Sequence, residues 1–415
     1  MDFTKSESIA KAMASLTDLP EVKEGLQFIE RDHEQAVKDQ LELVVIKAPT
    51  FHEQARAARY AEKLKELGLE DIHIDEYCNV ISLKKGTGEG PAILIEAHLD
   101  TVFPFETEIE PRIVDGIIHA PGICDCTRGL AAILSLVRAF NHTGIQHKGD
   151  IYFVGTASEE GMGGFRGMKG FFANNHGKIA ASITIDGSGA ERIVSNATGI
   201  KTMVFNFHGI GGHAYGAFAK VANPLHAAGR AVGKIACLEV PQDPRTTYAV
   251  SNFHAGNDAA VHAITEDAVI KVNFRSNSPV ELEKLEKKII QCVIDACQEE
   301  TDFWGKDTIT FDYEYLVDVP AGEQDHHLPI LEATYIAMEH LGLEPQFVKD
   351  GSTNANIPIG LGVPAVCIGR GGREGGVHTT HEWFEIANAY RCPQEVFIIA
   401  LALSGVTGKI ESVMK

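Results

Sequence analysis

Three short apolar runs constrain this chain more than any other feature. Ala92-Ile93-Leu94-Ile95-Glu96-Ala97, Ile151-Tyr152-Phe153-Val154-Gly155-Thr156 and Ile183-Thr184-Ile185-Asp186 each have the length of a strand. Their nearly continuous apolar character suits strands buried on both faces. Helical patterns fall between them, at about 127–140 and 164–173. Strands alternating with helices predict an α/β layer with a largely parallel central sheet flanked by helices. Helices at about 33–47 and 52–68, and short strands at 72–74 and 80–83, lead into it.

The alternation breaks after residue 197. Strands at 201–208, 247–253, 269–274 and 308–315 are interleaved with only two helices, at about 224–237 and 279–298. This is an α+β pattern with mostly antiparallel strands. The α/β alternation resumes after about 320, with a helix at 328–341, a strand at 365–368 and a helix at 388–403. The expected organisation is a discontinuous α/β domain, residues 1–197 and 321–415, interrupted by an inserted α+β domain at 198–320.

Composition excludes several classes. The chain carries 37 Lys+Arg against 57 Asp+Glu, a net charge of −20. Nucleic acids and anionic membranes need a positive surface, so neither is an expected partner. No apolar run approaches the roughly 20 residues of a membrane span. The polar segment Met1–Glu7 lacks the apolar core of a signal peptide. The eight cysteines have neither redox nor zinc-finger spacing. A cytoplasmic protein with reduced thiols is expected.

Five polar features stand near the ends of expected strands, where ligands bind in open α/β sheets. His98-Leu99-Asp100 closes the first run; a histidine can bind a metal while a nearby carboxylate orients its ring. Asp125 precedes a helix, and its plainer reading is an N-cap. Ser158-Glu159-Glu160-Gly161 puts two acids side by side, a metal ligand next to a general base, or simply a solvated loop. Asp186-Gly187 reads as a turn or a ligand. Gly375-Gly376-Val377-His378-Thr379-Thr380-His381-Glu382 offers two histidines. The glycines from Gly369 to Gly376 suggest a loop that approaches a ligand or adopts positive φ. Together His98, Asp125, Glu160, Asp186 and His378 form an N/O donor set. Such a set suits zinc, with cobalt or manganese as alternatives.

The same residues carry a family resemblance that runs nearly end to end. Glu96–Val102, Asp125-Cys126-Thr127-Arg128-Gly129, Ser158-Glu159-Glu160-Gly161, Gly211-Gly212-His213-Ala214 and Val377–Glu382 resemble the co-catalytic zinc peptidases and deacylases. That family includes peptidase T, carboxypeptidase G, aminoacylase and succinyl-diaminopimelate desuccinylase. Glu159–Gly167 and Gly351-Ser352-Thr353-Asn354-Ala355-Asn356 are most similar to its peptidase T-like branch.

The resemblance implies two Zn2+ per subunit. His98 and Asp186 would hold one, Glu160 and His378 the other, and Asp125 would bridge them through a cis peptide bond to Cys126. His378 is preferred to His381 because the family ligand stands four residues before a Glu, here Glu382. Asp100 would orient His98, and Glu159 would take the proton of the attacking water. The inserted domain would be a lid through which the chain forms a homodimer. On it, His213 would stabilise the oxyanion and Arg275 would bind a substrate carboxylate. The implied activity is hydrolysis of short peptides, in the manner of a tripeptide aminopeptidase. The alternative is an N-acyl-amino-acid deacylase or carboxypeptidase on the same site. Three positions depart from the pattern. Cys126 stands where a polar residue is expected, and His262 where the lid often carries Asn. Asn354, a candidate substrate contact, stands where similar sequences often have Asp.

Overall fold

The computed structural model describes residues 3–414 and resolves into two compact units. One comprises the chain up to Ala197 and from Glu323 onward; the other is Thr198–Gly322.

The first unit is built on an eight-stranded sheet. Its strand order is Glu70–Ile74, Val80–Lys84, Ile151–Thr156, Ala92–His98, Ile179–Gly187, Ala365–Gly369, Arg192–Val194, Gln346–Val348. The four middle strands, from Ile151–Thr156 to Ala365–Gly369, run parallel. Antiparallel pairing enters only toward the edges. The apolar runs that dominate the sequence are these middle strands, which are covered on both sides. All the residues from Ile93 to His98 are buried.

Two helices are apolar almost all round, Thr127–Thr143 and Arg391–Ser404. Each is buried because other helices cover it. Pro20–Arg31 packs on both, His33–Val44 on the first and Pro329–His340 on the second. The helix expected from 388 starts at Arg391. Asn388 takes a left-handed φ of 59°, and Pro393 then falls in the first turn, where a missing N–H costs little.

Glu395 sits in that second helix, fully buried, and neither carboxylate oxygen has a hydrogen-bond partner among the described residues. Burial pushes its carboxyl well above the ordinary value of 4.5. A carboxyl raised in the folded state contributes its stability below the unfolded pKa and loses it as pH rises toward the folded pKa. Glu395→Met should therefore stabilise the protein by about 1–3 kcal/mol at pH 8. The gain should shrink toward pH 4.5. Denaturant melts across that range test this; a gain independent of pH would contradict it.

A smaller sheet pairs Glu374–Gly375, Trp383–Glu385, Ile117–His119 and Arg112–Val114 in that order. Trp383 lies opposite His119, and Ala120 N–H donates to the Glu382 carbonyl at 3.1 Å. This pairing brings the turn before Asp125 alongside the loop that carries His378.

The second unit is a four-stranded antiparallel sheet ordered Thr246–Ala255, Asp267–Ser276, Gly199–His208, Thr310–Val319. Its strands alternate buried and exposed residues, as in Asp267–Ser276, because one face is covered. Helices Pro224–Ile235 and Pro279–Trp304 pack on that face over Phe205, Phe207, Val272 and Phe274. Each helix begins with Pro after a capping side chain, Asn223 and Ser278. Among the described residues no helix is long and apolar enough to cross a membrane. All eight cysteines are free.

Candidate metal centre

His98 ends its strand, fully buried. Its Nδ1 lies 3.0 Å from the Asp100 backbone carbonyl and 3.5 Å from the Asp100 carboxylate. With Nδ1 engaged there, the other nitrogen, Nε2, faces Asp125 Oδ1 at 2.8 Å and Asp186 Oδ1 at 3.4 Å. Both the carbonyl and the carboxylate of Asp100 are placed to orient the ring. The Asp100 carboxylate has another task. It accepts from the Glu159 and Glu160 amides, both at 3.0 Å, and from Thr50 Oγ1 at 2.9 Å. Glu53 holds the preceding residue by accepting from Ser158 N–H and Oγ. Two buried carboxylates thus suspend the 158–160 segment by its own amides. These contacts aim the paired acids; a solvated loop would not need them.

Asp125 is not a cap. The first residue before its helix is Cys126, and no side chain caps that end. The Asp125 carboxylate faces two histidines, Oδ1 toward His98 and Oδ2 toward His378 at 3.2 Å. His378 Nε2 also lies 2.9 Å from Glu160 Oε1. The Asp125–Cys126 peptide is cis. The turn ahead of it is held by Glu382, whose carboxylate accepts from the amides of Gly122, Cys124 and Asp125. Glu382 is fully buried, while His381 is exposed and stands in none of the donor groups among the described residues. Cys126 Sγ donates to the Ile185 carbonyl at 3.0 Å, and burial pushes the thiol up to about 12.

Three donor groups result: His98, Asp125, Cys126 and Asp186; His98, Glu159 and Glu160; and Asp125, Glu160 and His378. Within each group the ligand atoms lie within 4.8 Å of one another. Electrostatics agree with a cation position. Hydrogen bonds to Asp125 and Glu160 push His378 up to about 10, the direction expected beside two acids. Burial opposes ionisation of Asp125, yet Arg370 and the two histidines hold it well below the usual carboxylate range. Glu159 moves the other way. Burial, with Asp186, Glu160 and Asp100 close by, pushes its carboxyl well above the ordinary value. Nitrogen and oxygen donors gathered around a shared carboxylate fit two divalent ions.

The glycine-rich loop serves packing. A Cβ on Gly369 would lie 2.0 Å from the Gly189 carbonyl, and Gly371 has a φ of +99° against Ala389. Asn354 is buried and turned inward. Its amide nitrogen donates to Glu96 at 3.0 Å and Thr156 at 2.8 Å, so its donors are not offered to a substrate. Its Oδ1 has no hydrogen-bond partner among the described residues, and Glu96, fully buried, is pushed up by burial to about 7.

His213 and Arg275 belong to the second unit. His213 lies on the short strand Gly212–His213, exposed, with its ring 5.8 Å from that of His262. Its Nδ1 accepts from the amides of Tyr215 and Gly216, so in the neutral ring Nε2 carries the hydrogen. Arg275 is an exposed residue of Asp267–Ser276, with Nε 3.5 Å from Asn273 Oδ1.

A family model for Peptidase family M20/M25/M40 matches residues 94–397, which include every donor above. The chain belongs to this family. It is 26% identical over 250 residues to a succinyl-diaminopimelate desuccinylase of Acinetobacter baylyi, covering 56% of this chain and 65% of that protein. The chain thus spans just under two-thirds of the length of that relative. Its fold is similar to that of the aminopeptidase PepT from Bacillus cereus, with a TM-score of 0.72 and 24% identity, covering 92% of this chain and 99% of that one. A dinuclear metal binding M20 peptidase of Bacillus subtilis shares the fold with a TM-score of 0.66 at 17% identity, covering 90% and 99%.

Proposed function

We propose that this M20 family member hydrolyses peptide bonds of short peptides, as a tripeptide-type aminopeptidase, with two divalent ions, Zn2+ or else Co2+ or Mn2+. One observation carries the proposal. Two groups of donors share Asp125, and a buried carboxyl, Glu159, stands against them without being needed by Asp125 or His378. His98 and Asp186 would hold one ion, Glu160 and His378 the other, with Asp125 between. The bound ions would polarise the scissile carbonyl and make a water more acidic.

The remaining steps fall to side chains. Glu159 takes the proton from the attacking water and returns it to the leaving amine nitrogen. His213 donates Nε2–H to the carbonyl oxygen as negative charge develops there. Arg275 presents a planar fork that matches a substrate carboxylate. Asp100 keeps the Glu159 segment in place. The Thr198–Gly322 unit serves as lid and as the homodimer surface, and the enzyme works in the cytoplasm.

A second reading is favoured by Asn354. Its inward amide leaves no charge at that position for a substrate's free ammonium group. Deacylation of N-acyl amino acids needs none, and a desuccinylase is among the relatives. The test is a panel of unblocked tripeptides and N-acyl amino acids, given to metal-assayed protein with and without chelator. Tripeptide turnover that disappears on chelation supports the first reading. Turnover of acylated substrates alone would replace it with the second, and activity that survives complete metal removal would eliminate both.

A further inference from the structure

Arg370 follows the strand Ala365–Gly369 and is only 3% exposed. Its Nε donates to the Gly187 carbonyl at 3.3 Å and Nη2 to Glu374 Oε1 at 3.0 Å. These contacts fix the plane of the guanidinium. Nη1 then points at Asp125 Oδ1, 3.0 Å away, and Asp186 Oδ1, 3.7 Å away. It makes no hydrogen bond among the described residues, so these contacts are ionic. They involve the same two oxygens that His98 Nε2 faces. The other half of the centre uses different atoms, Asp125 Oδ2 and Glu160 Oε1, which face His378.

The two halves are therefore electrically unequal. A cation between His98, Asp125 and Asp186 must share both carboxylate oxygens with a positive charge already in place. We propose that Arg370 is a positioning residue, a fixed internal cation that weakens metal binding in the His98–Asp125–Asp186 half, so that the Asp125–Glu160–His378 half loads first. This rests on the dinuclear reading above. Glu374 partly neutralises Arg370 and holds it, so its own removal acts in the opposite direction.

The test is titration of metal-free, full-length protein with Co2+, followed by calorimetry and by the visible absorption of the bound ion. The parent should bind two ions in steps separated by roughly tenfold or more in dissociation constant. Arg370→Met should tighten the weaker step until the two nearly merge, and Arg370→Lys, which keeps the charge, should preserve the separation. Glu374→Gln should weaken the second step by about threefold or more. His98→Ala should abolish the weaker step and His378→Ala the tighter one. An unchanged ratio of the two constants in Arg370→Met overturns the proposal, as does the reverse assignment of the histidines. Should Arg370→Met fail to fold, the Glu374→Gln and histidine titrations decide alone, and an unchanged second step in Glu374→Gln overturns it. A parent that binds fewer than two ions overturns the dinuclear reading and this inference together, an outcome distinct from two ions bound with no dependence on Arg370.

Discussion

Glu159→Gln is expected to lower kcat by about 10³-fold or more while leaving metal content at the parental level. The carboxamide keeps the size and the polarity of the side chain but cannot take a proton from water. The segment that carries it stays in place, because its anchors are backbone amides held by Asp100 and Glu53. KM should change little, since Glu159 is assigned to proton transfer and the substrate's ends are bound elsewhere. Metal analysis and steady-state kinetics on the same preparation measure both quantities. A variant retaining more than about a tenth of the parental kcat would remove Glu159 from the role of base.

Asp125→Asn should be as damaging by a different route. Among the described residues, Asp125 alone turns its two oxygens to the two histidines, one each. A carboxamide there offers one oxygen and no charge. Metal content should fall from two ions to one or none. Activity should fall by about 10³-fold, since loss of a metal's charge stabilisation is worth several kcal/mol. Loss of activity with two ions still bound would show that Asp125 does not bridge them.

The difference between the two variants lies in what surrounds each acid. Glu159 is braced through its backbone, whereas Asp125 is braced both through its amide on Glu382 and through its carboxylate, which also faces Arg370 at 3.0 Å. Asp125→Asn therefore weakens the balance of a buried cation too, and thermal melts should show it as a destabilised fold. Glu159→Gln should melt like the parent.

The donor residues were legible in the sequence because each lies close to an element with a strong pattern. His98 ends a continuous apolar run, Asp186 sits at the end of another, and Glu159-Glu160 follows a third. The small second sheet was not legible. Its strands are two or three residues long, and nothing in such lengths carries a period. Yet that sheet joins the Asp125 turn to the His378 loop. The bracing acids were hidden for a related reason. Glu53, Glu374 and Glu382 look like ordinary surface acids in sequence, and their burial depends on amides or an arginine supplied from elsewhere in the fold. In the sequence Arg370 stands only as one member of a glycine-rich loop.

The N-terminal helices Glu7–Thr17 and Pro20–Arg31 carry only local signals in the sequence. Ile9, Met13 and Leu16 are spaced for one helical face, and Pro20 is a favoured first residue. The place of Asn354 in a family-like motif suggests contact with substrate, and nothing in that motif signals that its amide nitrogen also donates to Glu96, a buried glutamate in the middle of the sheet that accepts from Thr156 as well.

The strand order of the larger sheet has a consequence for the newly made chain. Ala365–Gly369 lies between Ile179–Gly187 and Arg192–Val194, two strands synthesised before the insertion. Until it emerges, the sheet lacks an interior strand, and His98, Asp125, Glu160 and Asp186 stand together without His378. The Thr198–Gly322 unit has no such gap, because every strand of its four-stranded sheet lies within one continuous stretch of chain. On the ribosome the insert is expected to complete its core first, while the host waits for a strand encoded far downstream. The acids of the centre thus spend part of synthesis as a repelling cluster, and the downstream segment bearing both Arg370 and His378 brings the cationic groups that face them.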